Sequence, residues 1–173
     1  MIVLQTPIND EAIGSLNSGD AVCITGKIYT ARDAAHKKIV ELIEASERLP
    51  FDFDGQVVFY AGPTPAKPPR PIGCIGPTTS GRMDKYSPLL ISKGLKVMIG
   101  KGNRSREVIE AIVKHRGLYL AAIGGVAALM AKTVKSAKVI AFEELGTEAV
   151  MELEVENFPA IVAIDCQGNN LYS

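Results

Sequence analysis

Short apolar runs alternate along this chain with stretches of helical period, and the alternation predicts an α/β domain. Residues 21–25 and 27–30 are β-rich runs that pivot on Gly26. Over 31–48 the period lengthens: Ala35, Ile39, Leu42 and Ile43 share a stripe, Lys37, Lys38, Glu41 and Glu44 fall outside it, and Pro50 ends the helix. Residues 56–61 predict a buried strand closed by Gly62-Pro63, and the five prolines of 63–71 predict extended loop. Further on, 86–93 predicts a short helix and 95–99 a buried strand running into Gly100-Lys101-Gly102. Ser105 is the expected N-cap of a helix with the stripe Val108, Ile109, Ile112 and Val113, stopped by Gly117. A strand at 119–123, a tight turn at Gly124-Gly125, a short apolar helix at 126–131 and strands at 139–142 and 160–165 complete the pattern, with Gly168-Asn169-Asn170 turning into a short terminal strand. Residues 1–18 read as an extended arm, and 1–173 as a single domain.

Composition narrows the function classes. Lys plus Arg and Asp plus Glu number 19 each, so no global field recruits nucleic acid or an anionic membrane. With 47% apolar residues and a mean hydropathy of +0.15, part of the surface is expected to be covered by a partner. The longest apolar run, 118–131, is broken by Gly124-Gly125 and is too short to span a bilayer. The first seven residues lack a basic region and a cleavage pattern, so no signal peptide is expected. Cys23, Cys74 and Cys166 are far apart and form no metal-binding spacing, which suggests reduced thiols in a cytoplasmic setting and no metal site in this chain.

Three segments could carry chemistry, because each sets cationic or hydroxyl side chains beside a glycine or at a helix start. Gly76-Pro77-Thr78-Thr79-Ser80-Gly81-Arg82-Met83-Asp84 packs three hydroxyls and a guanidinium between glycines, a composition suited to a small oxygen-rich anion or to a polar turn. Residues 26–36 run Gly-Lys-Ile-Tyr-Thr-Ala-Arg-Asp-Ala-Ala-His, a strand feeding a helix. Arg32 falls in its first turn, where the helix dipole disfavours a cation unless an anion is near, and His36 follows on about the same face. Gly100-Lys101-Gly102-Asn103-Arg104-Ser105 lacks Walker A spacing; its helix start suits a carboxylate or phosphate, and the segment equally suits a flexible turn with a solvated lysine.

Taken together and in this order, the motifs at 26–36, 76–84 and 100–102 strongly resemble the β subunit, or C-terminal domain, of the class I iron–sulfur fumarases and the related L-tartrate dehydratases. The resemblance covers essentially the whole chain, from the Leu-x-x-Pro at 4–7 and the Gly-Asp at 19–20. It implies a three-layer swivelling β/β/α domain and a hydro-lyase whose [4Fe–4S] cluster belongs to an α subunit, in an assembly such as α2β2. By the same resemblance Arg32, Arg82 and Lys101 hold substrate carboxylates and Thr78 lies at the proton removed from C3. Gly76, Thr79, Asp33 and His36 support that shell, with Asp33 orienting Arg32. An unassisted hydroxyl is a poor base, so a relay carboxylate is expected from the partner, with Asp33 and Asp84 as the candidates in this chain. Whether Thr78 or Thr79 faces the substrate stays open; Thr78 is favoured because four residues separate it from Arg82 in the family's pattern. Fumarate hydratase is the leading expectation, with L-tartrate dehydratase and a non-catalytic anion-binding module as alternatives.

Overall fold

Every second residue of the central strands is buried on the opposite face, and this two-sided alternation organises the molecule. The computed structural model describes residues 1–123 and 127–173; the expected Gly124-Gly125 turn and the first residue of the helix expected at 126–131 lie outside the described residues. In order come β1 (Ile2–Gln5), α1 (Asp10–Ser15), β2 (Ala21–Thr30), α2 (Asp33–Glu44), β3 (Val57–Phe59), α3 (Ser87–Ser92), β4 (Val97–Gly100), α4 (Arg106–His115), β5 (Leu118–Ala122), α5 (Ala127–Thr133), β6 (Val134–Ala141) and β7 (Val150–Ile164), with 3₁₀ turns at Ser80–Met83 and Glu143–Glu148.

The described strands form one sheet in the order β1-β2-β3-β4-β5-β7-β6. β1 through β5 run parallel, while β7 is antiparallel to β5, β6 and β2. Ala160 of β7 pairs with Val22 on one edge and Ala122 on the other, so β2-β3-β4-β5-β7 close on themselves. Val57, Phe59, Val97, Ile99, Leu118, Leu120, Phe158 and Val162 point into one core, which β1 and α1 also enter through Leu4 and Ile13. Val58, Tyr60, Met98 and Tyr119 point the other way, against Ala35 and Ile39 of α2, Leu90 and Ile91 of α3, and Val108 and Ile112 of α4. One sheet therefore carries a core on each face, with helices packed against both, and the domain is α/β.

The structure departs from the sequence reading at both ends. Residues 1–18 are extended only over β1, which pairs in register with Val22–Thr25; α1 follows, capped by Asn9, whose side chain accepts the Ala12 N–H at 2.8 Å. The strand expected at 160–165 is the C-terminal end of the fifteen-residue β7, and the expected terminal strand is a single bridge between Ile164 and Asn170. Gly26 does act as a pivot: β2 is one strand with a register shift at Ile24/Gly26. At φ +119° this position favours glycine, and a Cβ there would lie 2.2 Å from Thr6 Oγ1.

Candidate functional site

The carboxyl ends of β2, β3 and β4 lie side by side, because the three strands are parallel and consecutive in the sheet. This is the edge where parallel sheets collect ligand-binding groups. All three sequence-predicted segments arrive there. β2 runs straight into residues 31–36, and β4 runs straight into Lys101. The 76–84 segment returns to the same edge after the proline-rich loop: Thr78 N–H donates to the Tyr60 carbonyl at 2.7 Å, and Thr79 pairs with Lys101 in a parallel bridge.

Arg32 is the residue that caps α2, and its side chain makes no capping bond. Glu148 does this instead, accepting the Ala34 N–H at 3.1 Å and lying 3.6 Å from Arg32 Nε. The anion that the dipole argument requires near Arg32 is thus supplied from the distant 3₁₀ turn at Glu143–Glu148. Arg32 Nε also lies 3.9 Å from Asp33, and it is buried without a hydrogen-bond partner among the described residues. Gly62 makes room for this guanidinium, since a Cβ there would approach Arg32 Nη1 to 3.0 Å.

Arg82, in the 3₁₀ turn after Thr79, meets Asp33 with both edges of its fork: Nε to Oδ1 at 3.1 Å and Nη2 to Oδ2 at 2.5 Å. Asp33 holds Arg82 by hydrogen bonds and lies within ion-pair distance of Arg32, which the sequence reading had it orient. The two arginines share one carboxylate, and the Arg82 side chain keeps 52% of its surface in solvent. Lys101 and Thr79 are exposed, Thr78 is 8% exposed, and Gly76 is half-buried with Ala127 as its nearest neighbour at a notional Cβ distance of 3.6 Å.

His36 lies beneath this rim, fully buried between Tyr60 and Tyr86. Its Nδ1 lies 2.9 Å from the Arg32 carbonyl, so the neutral ring carries its proton there and leaves Nε2 as a buried acceptor without a partner among the described residues. Burial pushes its pKa down to about 4; the Arg32 carbonyl opposes this, the Arg104 charge adds to it, and Asp33 opposes it weakly. The imidazole is thus neutral near pH 7 and held to the backbone of Arg32.

Asp84, an in-chain candidate for proton relay, is engaged elsewhere. It accepts Arg104 Nε at 2.7 Å and the Ser105 N–H at 2.7 Å. Arg104 has no exposed side-chain surface; its Nη2 donates to Tyr60 OH at 3.1 Å and Ser87 Oγ at 2.8 Å, and its guanidinium lies 5.1 Å and 4.8 Å from the Tyr60 and Tyr119 ring centres. Sequence reasoning missed Arg104 and Glu148, because their partners are long-range; the one local hint was an arginine placed directly before the N-cap Ser105.

A guanidinium fork is matched to a carboxylate by charge-assisted hydrogen bonds, and Thr78 and Thr79 lie in the same segment as Arg82. Among the described residues, no three His, Cys, Asp or Glu side chains are placed to hold a metal ion. Cys23 and Cys166 are buried, Cys74 is exposed, and all three are free, so the described side chains offer no ligand set for a cluster. No described helix is long and apolar enough to cross a membrane.

The family model described as Fumarase C-terminus matches residues 1–173. The chain is 45% identical over 151 residues to the anaerobic class I fumarate hydratase of Escherichia coli, covering 86% of this chain and 28% of that protein. It is 45% identical over 174 residues to fumarate hydratase 2 of Leishmania major, covering 98% of this chain and 31% of that one. It thus spans less than a third of the length of these hydratases. A shorter relative, named "Putative L(+)-tartrate dehydratase subunit beta" in Methanocaldococcus jannaschii, is 44% identical over 166 residues, covering 92% of this chain and 85% of that subunit.

Proposed function

Because the chain belongs to the fumarase C-terminal family, we propose that it is the β subunit of a two-subunit [4Fe–4S] hydro-lyase, most simply a fumarate hydratase interconverting fumarate and L-malate. The observation that carries this reading is the convergence of Arg32, Asp33 and Arg82 beside Thr78 and Lys101 at one sheet edge. The two-subunit arrangement is supported by the match along most of a relative named as a β subunit, and that relative also supports L-tartrate dehydratase as the second reading. The α subunit holds the cluster, which supplies Lewis acidity at the substrate hydroxyl. The pair, in an assembly such as α2β2, works in the cytoplasm, where three free thiols stay reduced.

In this reading Arg32, Arg82 and Lys101 bind the two carboxylates of a four-carbon diacid. Charge-assisted hydrogen bonds contribute about 1.5–3 kcal/mol each. Removing the C3 proton builds negative charge on the neighbouring carboxylate, so cations already in place favour the transition state over the ground state. The Thr78 oxygen takes the C3 proton as its own proton passes to a carboxylate of the partner. Within this chain Asp33 and Asp84 are engaged with arginines, which favours a relay from outside it.

The test is to co-express the chain with its α subunit, purify the complex anaerobically and assay fumarate and L-tartrate. Hydration of fumarate supports the reading, and turnover of L-tartrate alone selects the second. A complex with an intact cluster that acts on neither contradicts both.

A further inference from the structure

Behind the rim, a buried hydroxyl chain joins the two loops that carry the proposed chemistry. Tyr119 OH donates to the Gly102 carbonyl at 2.7 Å. That bond uses its only proton, so the 2.7 Å contact between Ser80 Oγ and Tyr119 OH must run from Ser80 to Tyr119. Ser80 has no exposed surface, and its N–H donates to the Lys101 carbonyl at 2.9 Å. Ser80 thus grips the glycine-flanked loop twice, directly at Lys101 and through Tyr119 at Gly102. The fit is close: a Cβ on Gly100 would lie 1.9 Å from Ser80 Oγ. Arg104 packs against the Tyr119 ring and fixes it from below. The hydroxyl stays protonated, because burial raises its pKa.

From this geometry we propose that Tyr119 is a positioning residue that sets Lys101 against the Thr78–Arg82 turn. The role rests on the reading of Lys101 as a carboxylate-binding cation. A lysine between two glycines on an exposed loop has little of its own to fix it, and Gly102 has φ +83°, an unusually free joint. The Ser80–Tyr119–Gly102 chain removes that freedom on the far side of the lysine, while the Thr79–Lys101 bridge removes it on the near side.

Tyr119→Phe keeps the ring and deletes the link. In the purified αβ complex it is expected to raise the KM for the dicarboxylate about tenfold while kcat changes less than about threefold. In a Lys101→Met background the same change should cost less than about twofold, because residues acting through one another are not additive. Ser80→Ala, which removes the donor instead, should reproduce both results. A KM unchanged by Tyr119→Phe, or a loss that multiplies fully with that of Lys101→Met, overturns the proposal. Hydrogen exchange of the complex reads the link without turnover: Tyr119→Phe should speed exchange at residues 100–104 and 78–82, whereas unchanged protection there also overturns it. If the unmodified complex turns over no dicarboxylate, the functional reading fails by itself, and the exchange measurement still decides whether Tyr119 holds the loop.

Discussion

Arg82 and Asp33, 49 residues apart in sequence, form a two-point guanidinium–carboxylate pair at the mouth of the candidate site. The pair joins the turn after Thr78 to the first residue of α2, and it brings Arg82 within one carboxylate of Arg32. With the Arg82 side chain 52% exposed and Asp33 33% exposed, its worth lies in orientation more than in stability. Asp33→Asn should therefore cost under about 1 kcal/mol of stability. It should lower kcat/KM of the complex roughly tenfold, mostly in kcat, because Arg82 loses the second point that fixes its plane. Urea unfolding and steady-state kinetics on the same preparation check the two halves.

Glu148 is the carboxylate nearest Arg32 Nε, at 3.6 Å and without a hydrogen bond to it, while also capping α2. Glu148→Gln keeps an acceptor for the Ala34 N–H and removes the charge. The expected outcome is a loss of about 0.3–1 kcal/mol from the weakened helix-terminus interaction. A severalfold rise in KM should accompany it as Arg32 loses its nearest anion, read by thermal unfolding and by substrate titration of the complex.

How far these partners were legible in the sequence depended on distance along the chain. The stripe Ala35, Ile39 and the Ser105 cap are local patterns, and α2 and α4 form on them as expected. Residues 152–155 alternate Glu, Leu, Glu, Val, with Leu153 and Val155 buried, yet Pro159 interrupts the run and disguises 150–164 as something other than one strand. The three chemical motifs were readable because each places unusual residues close together. Their assembly was not, since it depends on β2, β3 and β4 being neighbours, and the Arg104–Asp84 pair joins residues on two different loops.

His36 should make stability depend on pH over a defined window. Its folded pKa of about 4 lies below the ordinary histidine value of 6.5, so between these values the unfolded chain binds more protons than the folded one. The contribution of neutral His36 is thus fully present above about pH 6.5, and it is lost as pH falls through about 4. The full loss is on the order of 3 kcal/mol. His36→Phe should flatten the slope between pH 6.5 and 5 relative to the unmodified chain, measured by urea unfolding across that range.

Arg104 carries the opposite balance of stability and orientation. Its side chain is wholly buried and paired with Asp84, so Arg104→Met should leave the Asp84 carboxylate uncompensated and cost about 3–5 kcal/mol. Arg104→Lys should recover only part of this, because one ammonium cannot span Asp84, Tyr60 and Ser87 in the plane the guanidinium uses. Denaturant midpoints for the two variants provide the check.

The most direct test of the account is Arg82→Ala in the complex with the α subunit, with fumarate turnover, subunit association and the visible spectrum of the cluster measured on one sample. The account predicts a loss of kcat/KM on the order of a hundredfold or more, corresponding to about 2.7 kcal/mol or more of lost transition-state stabilisation, while association and spectrum stay unchanged. Turnover within about twofold of the unmodified complex would contradict the assignment of this rim as half of a dicarboxylate site.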